Sequence, residues 1–419
     1  MPDRLGVLRD PSYRLFWIGQ SVSFIGSHVT ELALPLTAVL LLNAGPGQMG
    51  VLTALEYVPF LLIGLIVGVW VDRTRRRPIL IGADLVGAAA IGLIPLAALL
   101  GVLRIELMYA VAFVFGLIEV IAPVAYQSFV PTLVGRDRLV EGNAKLEASH
   151  SVAAIVGPGL GGALIQALTA PIALVIDTLS YLVSAAALTA IRLAEPPPIP
   201  AEHEATIRQQ IAEGLRLVLA RPTLRALVAC GAIHNFFSRM IDALLVLYAV
   251  DVIGLGPAEI GLVFAAGGPG SLVGALTVEG LGRRLGVGRV ILASQVVTGL
   301  ARLMVPAAAL VARGPAAVTV LAMSMFLLGF VRTTFNITQV SLRVAITEDR
   351  MHGRVNATMR FVMWGVTPFG AVAGGLLAAS GLGLDGTLAL AGVGVLLAFV
   401  PLLTPAIRTV ASIPSAAVS

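Results

Sequence analysis

Gly68-Val-Trp-Val-Asp-Arg-Thr-Arg-Arg-Arg77 closes one long apolar segment just before the next begins at Pro78. A charged turn this short, wedged between two stretches that are each long enough to cross a bilayer, lies at a membrane surface. That reading sets the solvent for the rest of the chain.

The composition agrees. A soluble domain carries about 25% charged residues, whereas here 12% of residues are charged and 58% are hydrophobic. The mean hydropathy is +0.95. Such a chain cannot cover itself with polar surface, so its solvent is lipid. At roughly 20 apolar residues per crossing plus short loops, the 419 residues accommodate about twelve helices. The lone Cys230 excludes an internal disulfide and any cysteine-based zinc site. Met1 to Asp10 is polar and the first apolar run is too long for a signal h-region, so no cleaved leader is expected. The sequence pI near 9.9 does not call for nucleic acid, because the basic residues sit in short loops between spans.

Apolar runs predict helices over 13–42, 48–71, 78–101, 105–134, 144–169 and 171–193, then 222–250, 257–281, 288–312, 316–346, 354–380 and 384–406. The arginines then sort by side. Arg4, Arg9, Arg14, the cluster Arg73–Arg77, Arg136, Arg138, Lys145, the 192–225 connection, Arg283, Arg284, Arg289, Arg343, Arg350, Arg354 and Arg408 fall on one side. The other side receives Arg104 and Arg313. Positive-inside topology places both termini in the cytoplasm. The expected fold is an all-α polytopic membrane protein, with twelve transmembrane helices in two pseudo-symmetric six-helix bundles. The bundles are expected at 1–193 and 222–419. Between them, 194–221 forms a cytoplasmic linker with a stiff Glu195-Pro-Pro-Pro-Ile-Pro200 spacer. Ile207, Ile211, Leu215 and Val218 then recur at helical spacing, which predicts an amphipathic helix on the inner leaflet.

The halves repeat. A shift of 213 carries Gly116 onto Gly329, Ser128 onto Ser341, Asn143-Ala144 onto Asn356-Ala357, Gly157 onto Gly370, and Gly161-Gly162 onto Gly374-Gly375. Near each half's first helix a shift of 211 carries Pro11 onto Pro222, Arg14 onto Arg225 and Glu31 onto Asp242. Small residues recurring at matched places mean repeated close helix packing.

Ionisable residues interrupt these spans. A carboxylate at mid-span costs about 2.5–3.5 kcal/mol on insertion scales, yet Glu31, Glu56, Glu119, Asp177, Asp242, Arg239, Arg302 and Arg332 all lie within apolar segments. Glu119 corresponds to Arg332 under the repeat. Glu31 and Asp242 each follow a base by three residues, His28 and Arg239, on one helix face. Glu31, Glu119, Asp242, Arg239, Arg332 and His28 are therefore expected to line a central cavity. Desolvation there favours the neutral carboxylic acid and suits proton exchange. The bland alternative is structural ion pairing, and Arg302 is expected to be packed or snorkelling. Phe24, Phe236, Phe237, Phe335, Phe361 and Trp364 lie at similar depth. Phe24, Asn235, Phe236, Asn336 and Trp364 are the substrate-contact candidates, with ordinary helix packing the competing role.

Gly68, Asp72, Arg73, Arg76 and Arg77 match G-x-x-x-D-R-x-(G/R)-R-R, and by this motif the chain resembles the major facilitator superfamily over nearly its full length. Arg75 stands where that pattern often has glycine. The resemblance implies a cytoplasmic gate role, with Asp72 near Arg354, Asn356 or Arg360. The second-half copy, Glu279 to Arg289, is degenerate. Gly157, Pro158, Gly161 and Gly162 match the G-P-x-x-G-G motif of the fifth helix, which resembles the drug/proton antiporter signature and implies export. Ile176-Asp-Thr-Leu-Ser-Tyr181, Glu213-Gly-Leu-Arg-Leu-Val-Leu-Ala-Arg-Pro222 and Asn143-Ala144 look like the branch of enterobactin, macrolide and multidrug exporters. One departure is the absence of the fourth-helix arginine of many drug antiporters; Glu119 occupies that helix's middle.

These features imply a proton-coupled exporter of amphipathic drug-like or siderophore-like molecules in a bacterial cytoplasmic membrane, with protons, lipid and a small-molecule substrate as partners and a monomer as the working unit. The excess of intramembrane acids leans toward cationic amphiphiles. A lipid or lysophospholipid flippase of the same fold is the alternative. No metal, cofactor, nucleic acid or enzymatic chemistry is expected. The five histidines lack H-E-x-x-H spacing and no P-loop occurs. Gly157-Pro-Gly-Leu-Gly-Gly162 fits G-x-G-x-x-G but lies in an apolar helix, where no strand precedes it.

Overall fold

The computed structural model describes residues 6–193, 195, 207–311, 314–348 and 351–412. Arg4, Arg313, Arg350 and the 196–200 spacer lie outside the described residues, as do the side chains of 207–211. No strand occurs among the described residues. The helices are α1 (Pro11–Leu42), α2 (Pro46–Ile63), α3 (Val67–Asp72), α4 (Arg76–Leu99), α5 (Ile105–Val134), α6 (Leu139–Ala167), α7 (Ala170–Ala190), α8 (Ile207–Ala220), α9 (Pro222–Tyr248), α10 (Pro257–Ala265), α11 (Gly267–Leu285), α12 (Val287–Val311), α13 (Pro315–Ile346), α14 (His352–Gly365), α15 (Thr367–Ala379) and α16 (Gly383–Leu397).

Among the described residues, eleven helical segments are long and apolar enough to cross a membrane, so the chain is a multi-pass membrane protein. The crossing expected at 222–250 is α9, which is helical but stands outside those eleven. His234, Asn235, Arg239 and Asp242 interrupt the apolar middle of this helix. Three expected continuous helices are interrupted. The 48–71 span turns at 64–66, after Gly64, before resuming as α3. The 257–281 span breaks at Ala266 before Gly267-Gly268-Pro269, and the 354–380 span breaks at Val366 before Thr367-Pro368. In the last two the proline ring removes an amide donor and crowds the preceding turn.

The chain forms two compact units. One comprises Met1–Ala44, Val58–Glu204 and Gly256–Leu262; the other comprises Gly45–Tyr57, Ala205–Leu255 and Val263–Ser419. In the first, α1 packs along α6 and α7, and α4 along α5 and α7. In the second, α9 packs along α15 and α16, and α12 along α13 and α16. These pairings correspond under the half-chain shift, so the sequence repeat is a repeat of packing.

Each unit has its own core. Tyr13, Phe16, Phe129, Leu133 and Leu188 centre the first, where the Tyr13 hydroxyl donates to the Gly142 carbonyl at 2.7 Å. Leu224, Cys230, Ile291, Leu342 and Met359 centre the second. Leu99, Leu276, Leu310 and Leu376 remain exposed, the inverse of a soluble protein's preference and the expected one in lipid. The linker helix α8 does not ride free of the protein. Val218 is buried in the second unit's core, and Glu213 pairs with Arg354 on α14.

Candidate functional site

The first unit gathers acids. On α1, His28 Nδ1 lies 3.1 Å from Glu31 Oε2, and the Glu31 side chain is 65% exposed. Glu119 on α5 is also exposed and faces Glu31, His28 and Asp177. The imidazole of His28 is flanked by His150 of α6, with ring centroids 5.9 Å apart, and the His150 ring meets Phe24 edge-on at 5.1 Å. Phe24, His28, Glu31 and Glu119 thus lie in one region of the first unit. His150 was not singled out by sequence, since no spacing rule marks a histidine one helix away.

The second unit gathers arginines around one acid. Asp242 Oδ1 accepts from Arg302 Nη1 at 2.6 Å and Oδ2 lies 3.3 Å from Arg239 Nη1. Arg302 is therefore an ion-pair partner, which corrects the expectation of a packed or snorkelling side chain. Its long reach from α12 to α9 is invisible in sequence spacing. The Arg239 guanidinium also stacks over the Tyr57 ring, 4.4 Å from its centroid, and Tyr57 approaches Trp364 at 6.4 Å. Such stacking is favoured for a planar, weakly hydrated cation. His234 faces Asp242 and three arginines, Arg239, Arg302 and Arg332; its Nδ1 is buried without a hydrogen-bond partner. Asn235 Nδ2 donates to the Met363 carbonyl at 2.6 Å, Phe236 stacks edge-on against Phe237, and Asn336 is exposed. Asn235 and Phe236 therefore have packing roles of their own.

The intramembrane arginines therefore gather in one unit. Glu31, Glu119, Asp84 and Asp177 belong to the first unit, while Arg239, Arg302 and Arg332 belong to the second with Asp242 and Glu56. A simple count of acids against bases misses this separation, because it treats all intramembrane charges as one pool.

The fifth-helix motif lies on α6, and its glycines each remove an obstacle. A Cβ on Gly157 would fall 2.5 Å from His28 Cβ, and one on Gly161 3.3 Å from Val29 Cα. A Cβ on Gly162 would fall 2.8 Å from Gly261 Cα and 2.5 Å from the Pro257 oxygen. Gly374 and Gly375 repeat the arrangement against Met240 Cα at 2.8 Å and Gly50 Cα at 3.0 Å. Pro158 lends its carbonyl to the same crossing, 2.5 Å from where a Gly261 Cβ would stand. The motif is a seam of backbone contact that holds the His28 segment of α1 in place.

The loop motif caps helices. Arg77 donates from Nε to the Leu188 carbonyl at 2.8 Å and from Nη2 to the Thr189 carbonyl at 2.7 Å, satisfying the C-terminus of α7. Glu195, missed by sequence, accepts from the Arg76 and Arg77 amides at 2.5 and 3.2 Å and caps α4. Gly68 has open space around its Cα, and the side chains of Asp72 and Arg73 are exposed. Among the described residues, no group of three or more His, Cys, Asp or Glu side chains is placed to hold a metal ion.

The profile of the transmembrane secretion effector family matches residues 4–418. The chain is 26% identical over 366 residues to the multidrug efflux pump Tap of Mycolicibacterium fortuitum, covering 85% of this chain and 87% of that one. It is 25% identical over 263 residues to macrolide efflux protein A of Streptococcus pyogenes, where the match covers 62% of this chain and spans 64% of that protein's length. The enterobactin exporter EntS of Citrobacter koseri is 26% identical over 296 residues, 70% of this chain and 68% of that one. By fold, the chain is similar to a bacterial homologue of the iron transporter ferroportin in an inward-facing state, with TM-score 0.70, 19% identity and coverage of 94% and 98%. It is also similar to the nucleoside transporter NupG, with TM-score 0.67, 16% identity and coverage of 93% and 98%. The repeated packing, the glycine seam and the full-length profile agree: this chain belongs to the transmembrane secretion effector family of the major facilitator superfamily.

Proposed function

We propose that this protein is a secondary active exporter that moves amphipathic drug-like or siderophore-like molecules out across a bacterial cytoplasmic membrane by alternating access, in antiport with protons. The supporting observation is the clustering of ionisable side chains on the apolar helices of each unit, Glu31–His28 near Glu119 in one and Arg302–Asp242–Arg239 in the other. Such groups face a bundle interior or an aqueous cavity, because lipid contact is too costly. Efflux or export is the activity named in these relatives, which supports the direction of transport.

Proton flow supplies the energy in this reading. A membrane potential contributes about 2.3 kcal/mol per net charge per 100 mV, which drives expulsion when one proton enters per uncharged substrate; for a monovalent cation the exchange is electroneutral and the pH gradient drives it. Glu31, Glu119 and Asp242 exchange the proton, with His28, Arg239 and Arg332 setting the field around them. Phe24, Phe236 and Trp364 offer aromatic faces to the substrate.

The test is efflux of a fluorescent amphiphile from cells expressing the protein, with and without an uncoupler. The reading expects uncoupler-sensitive efflux that slows in Glu31→Gln, Glu119→Gln and Asp242→Asn. Proton antiport is wrong if all three variants keep pH-dependent efflux. Movement of a lysophospholipid analogue between leaflets, indifferent to the uncoupler, would replace this reading by a flippase.

A further inference from the structure

A groove of about 500 Å³ runs between α4 and α7 on the first unit, and none of its lining residues is ionisable. Ile81 and Leu85 form the α4 wall, and Leu182, Ala186 and Ala190 the α7 wall. Leu85 and Leu182 are exposed, so the groove opens toward lipid. Its shape follows from the sequence. Gly92 and Gly87 bring α4 onto Thr178 and Tyr181, where a Cβ would stand 3.2 and 3.0 Å from those side chains. Beyond that contact α7 presents Ala185, Ala186 and Ala190, whose methyl groups leave the space between the helices unfilled. Thr189 lines the same wall, but its hydroxyl donates to the Ala185 carbonyl at 2.7 Å. The groove therefore offers apolar surface and no spare hydroxyl hydrogen.

One end of the groove is basic. Thr189 and Ala190 lie in the last turn of α7, where the Arg77 guanidinium donates to the Leu188 and Thr189 carbonyls at 2.8 and 2.7 Å. Arg192 follows shortly after Ala190 and is exposed, as are Arg73 and Arg75 in the turn before α4. The acids of the same two segments are Asp72 and Glu195. The Glu195 side chain is only 5% exposed and is taken up by the Arg76 and Arg77 amides. Arginines outnumber acids here, which leaves the mouth positive. From Ala190 the α7 wall runs inward to Leu182, about 12 Å at the helical rise per residue. That is most of one leaflet's hydrocarbon depth, which is about 15 Å. By the positive-inside rule the basic end faces the cytoplasm, and the cytoplasmic leaflet is the one with anionic lipid.

An acyl chain suits the walls, and an acidic headgroup suits the mouth. We propose that this groove holds an anionic phospholipid of the inner leaflet, its chain between α4 and α7 and its phosphate on the arginines of the mouth, Arg75 and Arg192, with Arg77 adding its charge. Guanidinium forks pair with phosphate oxygens through two parallel bonds. Basic pockets between membrane helices on the cytoplasmic side take acidic headgroups for the same reason. A zwitterionic lipid brings a cation that these arginines repel. A partner's transmembrane helix would match the walls but leave the arginines without a counter-charge. The lipid is a bound component and not the transported molecule, so the site does not depend on the exporter reading.

Native mass spectrometry tests the site on the full chain, reconstituted in vesicles of equal parts phosphatidylglycerol and phosphatidylcholine and released into detergent. The expected result is retention of phosphatidylglycerol in preference to phosphatidylcholine. Arg75→Gln and Arg192→Gln should each lower the retained phosphatidylglycerol about fivefold, the share of one basic residue near a charged surface. Ala186→Trp fills the groove and should lose the lipid, whereas Leu99→Trp, exposed at the other end of α4, should keep it. Melting temperature reports whether Ala186→Trp folds, and Ala190→Trp at the mouth is the second groove-filling variant. Equal retention of the two lipids by the wild type overturns the proposal, as does unchanged retention in both tryptophan variants. Displacement of the lipid by inorganic phosphate alone would make this a site for a free anion, and a second protein chain retained in its place would make it a helix-docking surface; either outcome also overturns it.

Discussion

Arg302 on α12 donates to Asp242 on α9 across 2.6 Å, and Arg239 holds the other carboxylate oxygen at 3.3 Å. One acid therefore keeps two guanidinium groups together in a region where the Arg302 side chain is only 12% exposed. The arrangement ties two helices that are far apart in sequence, and it predicts an asymmetry.

Removing Asp242 leaves two partly buried cations facing each other, whereas removing one arginine leaves the acid still paired. Breaking such a pair costs about 3–5 kcal/mol when a charge is stranded. Asp242→Ala should therefore lower the melting temperature in detergent more than Arg302→Ala. The double variant should recover part of the loss, with a coupling of about 1 kcal/mol or more. Equal melting temperatures for Asp242→Ala and the wild type would remove the ion pair from the account of stability.

The crossing of Gly162 with Gly261 admits no side chain, because a Cβ on either would meet backbone atoms at 2.5–2.8 Å. Gly162→Val and Gly375→Val should both lose efflux and melt at lower temperature, since backbone cannot move aside as a flexible side chain does. Gly68→Ala is the contrast: with nothing near its Cα, it should melt within about 0.5 kcal/mol of wild type. A thermal shift as large as that of Gly162→Val would show that Gly68 serves packing after all.

Arg77 spans two carbonyls at the end of α7 with a planar fork, a task lysine cannot reproduce. Arg77→Lys should destabilise by about 1 kcal/mol for the lost bond, and Glu195→Gln should weaken the cap on α4 by a similar amount. Thermal melting of both variants checks the pair. If Arg77→Lys is silent, the carbonyls are satisfied without the fork.

Cys230 is the sole thiol of the chain and is wholly buried. A maleimide dye should label it slowly in the folded protein and rapidly on heating, so labelling and intrinsic fluorescence should give the same melting midpoint. Prompt labelling in the cold would contradict its place in the second unit's core. The same thiol gives a convenient readout for the variants above.

Much of the fold was legible in the chain. The helix expected at 105–134 is Ile105–Val134, and the shift of 213 that aligned Gly161-Gly162 with Gly374-Gly375 reappears as two matching backbone crossings. Apolar length and small-residue spacing are local properties, so they survive without knowledge of partners. The breaks at 64–66, Ala266 and Val366 were not marked, since hydropathy is continuous across them. Asp84 was overlooked because a single acid in the run Ile79 to Ala90 has no periodic signature, and Arg302 was misjudged because its partner lies 60 residues away.

Sequence by itself determined that this chain lives in lipid, crosses it many times, and repeats its helices in two halves, because hydropathy, arginine placement and glycine spacing are written residue by residue. Only the tertiary structure decided how the charges are shared out: acids beside acids in the first unit, two arginines around one aspartate in the second. Pairing energy depends on distance between side chains from different helices, and that distance exists only once the helices have packed.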